Sequence, residues 1–218
     1  MNTLGIDCAG RYTNVGIAVD SKIIAERSER LGRRQSEELP LLTESVLEEA
    51  GLKLSELDLI AVGAGPGYYT GIRAGIAYGA ALAEALGLSV AVLSSLEIYI
   101  NDLKGNAEYV APVYRARPSR FYAAIYGSNS GKFLLPPTFI RADDFIDTLK
   151  HYEGAVIVSP DFAEYPALKN CGFAVIERES ARGGETALLG ERYAHTAVSP
   201  LEVRGLYLRD PDIGPSKD

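Results

Sequence analysis

The residues of this chain that could do chemistry cluster near its start. Asp7 ends a short apolar run, Thr3–Cys8, and is followed by the turn Asp7-Cys8-Ala9-Gly10 and then Thr13-Asn14. A carboxylate at a strand end beside a hairpin can hold a metal ion while backbone amides cradle a phosphate. It can equally accept hydrogen bonds from the N–H groups of its own turn. Phosphotransfer or nuclease chemistry needs a second inward carboxylate, and none is apparent. The other candidate is Gly63-Ala64-Gly65-Pro66-Gly67. Glycines between a strand and a helix let a ligand approach the backbone, with free N–H groups at the helix start. The spacing is neither the P-loop, which needs Gly-Lys-Ser/Thr, nor G-x-G-x-x-G. A purely structural tight turn is the alternative.

Other chemistries find little support. The two histidines, His151 and His195, have no metal-ligand spacing to one another or to a cysteine, and both are expected at the surface. No serine lies in G-x-S-x-G. Cys8 and Cys171 cannot build a disulfide framework and read as reduced thiols. Of the 218 residues 47% are hydrophobic, with mean hydropathy +0.01, so a sizeable core is available. The apolar region Ile72–Leu96 is interrupted by Arg73, Glu84 and the helix stop Gly87–Ser89, which argues against a membrane span. The start MNTLGIDCAG lacks the pattern of a signal peptide, so a cytoplasmic location is expected. Net charge is −7, whereas a protein that held nucleic acid by itself would need a basic face. The two basic clusters, Arg27/Arg30/Arg33/Arg34 and Arg115/Arg117/Arg120, read as solvated segments.

The elements that must position these groups fall into a doubled order. Thr3–Cys8, Thr13–Val19 and Lys22–Ser28 alternate as strands, the last two joined by Asp20-Ser21 as a two-residue hairpin. Ser36 suits an N-cap for a helix to Ala50, with Glu37 and Glu38 in its first turn and Gly51 as C-cap. Strand Leu59–Gly63, a helix Thr70–Leu86 and strand Ser89–Leu93 follow. From Tyr109 the pattern restarts: strands Tyr109–Val113, Phe121–Tyr126 and Lys132–Leu135, then a helix from Asp143 or Asp144. Strand Ala155–Val158, a helix in Asp161–Lys169, strand Phe173–Ile176 and helix Glu185–Ala197 complete the order. The tail Leu206–Asp218 is expected to be irregular. Two similar lobes are implied, each a mixed sheet with helices packed on it, at residues 1–103 and 104–218.

Within Thr70–Leu86, Gly71, Gly75, Gly79 and Ala83 recur at every fourth position and give a face almost without side chains. Glycine inside a helix costs ~1 kcal/mol relative to alanine, so some element must approach that face closely. It could be the helix Glu37–Ala50 of the same chain or a helix of another molecule.

The run GAGPGYYTGIRAGIAYGAALA resembles the G-x-GPG-S-F-TG-L-R-x-G signature of the TsaB (YeaZ) family. Asp7 with its hairpin, Gln35-Ser36-Glu37, Ser94-Ser95-Leu96-Glu97 and Leu206-Tyr207-Leu208-Arg209 match in order. The sequence departs from that pattern at Gln35, where His is common, at Tyr68, where Ser is common, and at Arg115, where an Asp usually stands. The resemblance implies two RNase H-like lobes of the actin-like, Hsp70-like ATPase (ASKHA) fold. It implies a part in making threonylcarbamoyladenosine beside the anticodon of tRNAs that read codons starting with A. The family member is there a non-catalytic scaffold that pairs with its paralogue TsaD and is joined by a small ATPase, TsaE. It forms a homodimer when alone and meets tRNA only through the complex. ATP or ADP and a metal are then expected in the partner subunits and no cofactor in this chain. TsaD holds its metal with H-x-x-x-H on the equivalent first helix, and no histidine precedes His151 here. The resemblance puts the partner interface on the two first-lobe helices, at Leu39, Leu42, Val46, Arg73, Gly75, Ile76, Gly79 and Ala83. Gly79→Leu is accordingly expected to block pairing and leave the monomer folded. The competing reading is a small ATP-binding phosphotransferase of the same fold that uses Asp7 and Gly65–Gly67.

Overall fold

The structure, a computed structural model, describes residues 1–160, 165–169 and 171–209. Three strands open the chain: β1 (Asn2–Asp7), β2 (Thr13–Val19) and β3 (Lys22–Glu29). Asp20 and Ser21 both take positive φ, 46° and 62°, at the two-residue turn joining β2 to β3, as a type I′ hairpin requires. Helix α1 (Gln35–Ala50), β4 (Leu59–Gly63), α2 (Tyr69–Leu86) and β5 (Val90–Leu93) follow. The strands form one sheet in the order β3-β2-β1-β4-β5. The β1–β2 and β2–β3 pairs are antiparallel, and β1–β4 and β4–β5 are parallel.

The second half repeats this plan. Strands β6 (Tyr109–Arg117), β7 (Arg120–Gly127) and β8 (Lys132–Arg141) form a meander. Then come α4 (Ala142–Leu149), β9 (Val156–Ser159), α5 (Pro166–Lys169) and β10 (Ala174–Glu177). The order β10-β9-β6-β7-β8 is the first sheet's order read from its other edge, with the same parallel and antiparallel pairs. The expected helix over 161–169 lies partly outside the described residues. Strand β8 runs six residues beyond its expected end, through Pro136 and Pro137. Proline is tolerated there because β8 is the edge strand.

Two helix starts differ from expectation. Helix α1 begins at Gln35 with Arg34 at the capping position, and no side chain caps it, so Ser36 lies inside the first turn. A 3-10 turn at Gly32–Arg34 runs straight into the helix and fixes the entry before Ser36 is reached. Helix α2 begins at Tyr69 rather than after Thr70. The C-caps Gly51 and Gly87 are left-handed as expected, at φ 67° and 68°.

Two short elements cross between the sheets: α3 (Ser95–Tyr99), absent from the sequence reading, and α6 (Glu185–Arg192). Helix α3 leaves the first sheet and packs on β6, whereas α6 leaves the second sheet and lies on β1, β2, β4 and β5. Helix α6 thus packs on the first sheet although it follows the second in sequence. Lys104 pairs with Glu97 at 2.7 Å, and Asn101 donates to Glu185 at 2.8 Å, tying the crossing segments together.

Alternation along β1 sends Leu4 and Ile6 to one face, where they are fully buried beneath α1 and α2 with Leu39, Val46 and Val62. Thr3 and Gly5 face α6. A Cβ on Gly5 would overlap the backbone of Ala187, and one on Gly190 would overlap Ala61. On the other side, a Cβ on Gly79 would stand 2.5 Å from Val62 Cγ1, and one on Gly75 would stand 3.3 Å from Cys8 Sγ. The glycine face of α2 is thus seated on the chain's own sheet. The elements that approach it are chiefly β4 and the end of β1 with Cys8, while α1 touches it only through Gln35 at Gly71. Gly79→Leu must therefore push into the core, where overpacking costs about 1–3 kcal/mol. The variant is expected to lose about 2 kcal/mol, read as a lowered urea midpoint. A wild-type midpoint would show that this face is not packed.

Candidate functional site

Asp7 stands at the end of β1 and is 1% exposed. Its Oδ1 accepts a hydrogen bond from Ser95 Oγ at 2.7 Å and a longer one from the Ala9 N–H at 3.4 Å. Asn14, on the neighbouring strand, also supports the carboxylate. Burial pushes the Asp7 carboxyl above its ordinary range, and the bonds from Ser95, Ala9 and Asn14 offset this only in part. Cys8, beside it, is a fully buried thiol pushed up by the same burial and by the Asp7 charge.

The glycine loop presses onto this strand end. A Cβ on Gly63 would overlap the Asp7 carboxylate, and one on Gly67 would overlap the Ala9 carbonyl. Gly65 needs its φ of 101°, which side chains rarely adopt. Several of the loop's backbone groups are engaged within the protein. Gly65 N–H donates to Ser95 Oγ at 3.0 Å, Ala64 N–H to Leu93 at 2.8 Å and Tyr68 N–H to Ala9 at 2.8 Å. The Gly65 carbonyl accepts from Ser95 N–H at 2.8 Å, and the Ala64 carbonyl accepts from Leu206 N–H at 2.7 Å. The Ala64, Gly65 and Tyr68 donors thus face the protein, as in a tight structural turn. The cavity between it, Asn14 and Ser180 measures about 20 Å³, room for roughly one water. Among the described residues no group of three or more His, Cys, Asp or Glu side chains is placed to hold a metal.

The expected interface residues separate into two sets. Leu39, Leu42 and Val46 are buried beneath α1, and Gly75, Gly79 and Ala83 are buried beneath α2, so none of them is available at the surface of the monomer. Arg73 is exposed, with its guanidinium 5.4 Å from the Tyr69 ring centre, and Ile76 is half-buried. The outward face of α2 carries Ala77 and Ala81, both exposed, and no charged residue occurs between Arg73 and Glu84. Leu41 of the adjacent α1 is 59% exposed. Sequence reasoning missed this outward stripe because the glycines drew attention to the opposite side.

The mouth of the interlobe cleft holds the positions where the sequence departs from the resembled pattern. Tyr68 and Arg115 line a cavity of about 280 Å³, with Tyr69 and Tyr207. Tyr68 and Gln35 line a neighbouring one of about 420 Å³, with Arg11, Arg30 and Arg33. Gln35 itself donates to Thr13 Oγ1 at 3.1 Å. His151 and His195 are exposed, as expected. No described helix is long and apolar enough to cross a membrane.

Two like-ordered mixed sheets with crossing helices define the actin-like ASKHA class. The solved structure of YeaZ from Pseudomonas aeruginosa superposes with a TM-score of 0.80 at 22% identity, covering 95% of this chain and 99% of that one. Component A of (R)-2-hydroxyglutaryl-CoA dehydratase from Acidaminococcus fermentans shares the fold more distantly, with TM-score 0.54 at 13% identity over 90% of this chain and 97% of that one. The family model described as TsaD, tRNA N6-adenosine threonylcarbamoyltransferase, matches residues 22–157. The tRNA threonylcarbamoyladenosine biosynthesis protein TsaB of Bacillus subtilis is 25% identical over 72% of this chain and 69% of its own length. The chain belongs to this family, and within it to the TsaB (YeaZ) members.

The raised Asp7 carboxyl sets a pH dependence whose sign is opposite to that of a salt-bridged aspartate. Its contribution to stability is complete below the ordinary carboxylate range and is lost as pH rises through the raised folded value. Asp7→Asn keeps an oxygen that can accept from Ser95 and carries no charge to bury. Denaturation midpoints of the wild type are expected to fall from pH about 4 towards neutrality more steeply than those of Asp7→Asn. Parallel curves would mean that Asp7 is not the titrating group.

Proposed function

We propose that this chain is a scaffold subunit in tRNA threonylcarbamoyladenosine biosynthesis, pairing with a TsaD-like paralogue and joined by a TsaE-like ATPase. The observation that carries this reading is the division of α2. Its glycine side is consumed by the chain's own sheet, while its solvent side is an uncharged alanine stripe beside the exposed Leu41. Small residues on a helix surface let another helix approach closely and bury apolar area over the whole contact. The partner helix, or the same face of a second copy when the chain is alone, lies along Ala74, Ala77 and Ala81. The closed site at Asp7 supports assigning nucleotide, metal and transfer chemistry to the partner subunits, with this chain in an accessory part.

Ala81→Arg puts a charge in the middle of that contact without touching the chain's own core, and arginine is a good helix former. An unpaired charge buried in an interface costs on the order of 3 kcal/mol, about a hundredfold in affinity. The variant is expected to keep wild-type stability and to lose co-elution with the TsaD-like protein. Wild-type affinity would overturn the assignment of this face. Calorimetry of the isolated chain with ATP and magnesium is expected to show no micromolar binding; such binding would restore the phosphotransferase reading.

A further inference from the structure

Among the described residues the exposed aromatic side chains are Tyr68, Tyr69 and Tyr207, at 50%, 40% and 45% exposure. The chain has 13 tyrosines, and these three meet at the mouth of the interlobe cleft. Tyr69 and Tyr207 pack ring to ring at 5.2 Å, tilted by 48°. With Tyr68 they line the cavity of about 280 Å³, roomy enough for a flat ring. Leaving three large rings half exposed forgoes part of the roughly 1.5–3 kcal/mol that full burial of a large apolar side chain contributes.

Five arginines line the cavities around these rings, in a molecule of net charge −7. Arg11, Arg30 and Arg33 line the cavity of about 420 Å³ on one side of Tyr68. Arg115 and Arg209 line the tyrosine cavity on its other side. Arg30 and Arg33 form no ion pair with any described carboxylate, unlike their neighbours Arg27, held by Glu49, and Arg34, held by Glu38 at 2.7 Å. Among the described residues lining these cavities and the smaller one at Asn14 the carboxylate is Glu179, which keeps its charge while accepting the Tyr12 hydroxyl. Tyr68 lines both cavities. Two arginine clusters far apart in sequence are thus brought to either side of a tyrosine ridge.

Guanidinium groups flanking exposed rings match single-stranded nucleic acid, in which phosphates alternate with flat bases. We infer that the cleft mouth of this chain binds single-stranded RNA directly, with phosphates at Arg11, Arg30 and Arg33 and a base stacked on Tyr68 towards the Tyr69–Tyr207 pair. The choice of RNA rests on the tRNA-modification reading above. The inference departs from the expectation that tRNA is met only through the complex.

The test measures fluorescence anisotropy of a labelled oligoadenylate with the full chain across a salt series. The wild type is expected to bind at low salt. Combining Arg30→Ala with Arg33→Ala is expected to weaken binding at least tenfold and to lower the salt slope by roughly 1.4, the effect of two lost phosphate contacts on a single strand. Tyr68→Ala is expected to weaken binding about tenfold at unchanged salt slope, with Tyr68→Phe restoring it. All three positions are exposed, and matching unfolding midpoints would confirm that the variants fold. Absence of wild-type binding at low salt, or variants that bind like the wild type, would overturn the inference. So would displacement of the RNA by ATP, inorganic phosphate or an oligoglutamate peptide of equal charge as readily as by unlabelled RNA. Co-elution with the TsaD-like protein separates the two readings. Pairing without RNA binding refutes this inference alone, and RNA binding without pairing refutes the scaffold alone.

Discussion

The first sheet is pressed from both sides by helices that sit at backbone distance, and the rest of the molecule is arranged around that contact. On one face α2 reaches β1 and β4 through Gly71, Gly75 and Gly79; on the other, α6 reaches β1 and β4 through Gly5 and Gly190. A side chain at any of these positions except Gly75 would enter backbone or a packed side chain. Close packing brings many weak contacts into range at once, which offsets the helix propensity lost at glycine. Because α6 arrives from the second half of the chain, the same contact locks the two lobes together.

The closed site follows from this constraint. Drawing α2 onto the sheet pulls the loop Gly63–Gly67 over the end of β1, where Asp7 is already taken by Ser95 and its own turn. A strand-end carboxylate beside a glycine loop could serve a nucleotide; here the Ala64, Gly65 and Tyr68 donors are turned inward, and the cavity between the loop, Asn14 and Ser180 is water-sized. The chain keeps the architecture of the ASKHA fold, with Asp7 buried at the end of β1. What remains open lies outside: the alanine stripe of α2 and the arginine-flanked tyrosines at the cleft mouth.

Those two surfaces are distinct in chemistry and place. The stripe is uncharged and runs along the helix, suited to another helix. The mouth lies at the N-terminal end of α2 and alternates cations with rings. Helix α2 therefore borders both surfaces, while its glycines face the chain's own sheet.

How much could be read beforehand varies by element. The hairpin at Asp20-Ser21, the C-caps Gly51 and Gly87, strands β2 and β4 and the doubled element order were legible because each rests on local signals: turn conformation, capping and alternation. Helix α3 and the start of α1 were not, since a five-residue helix has no full period and the 3-10 turn before α1 overrides the Ser36 cap. The sequence by itself determined that glycines at every fourth position of α2 demanded a close neighbour. Only the tertiary structure decided that the neighbour was β1 and β4, because helical spacing shows which residues share a face but not what lies opposite it. Nothing local to Glu185–Arg192 says that its partners are the glycines of β1 and β2, more than 160 residues earlier. The gathering of Arg30, Arg33, Tyr68 and Arg115 at one mouth is likewise a product of chain crossing, which brings residues together independently of their separation along the sequence.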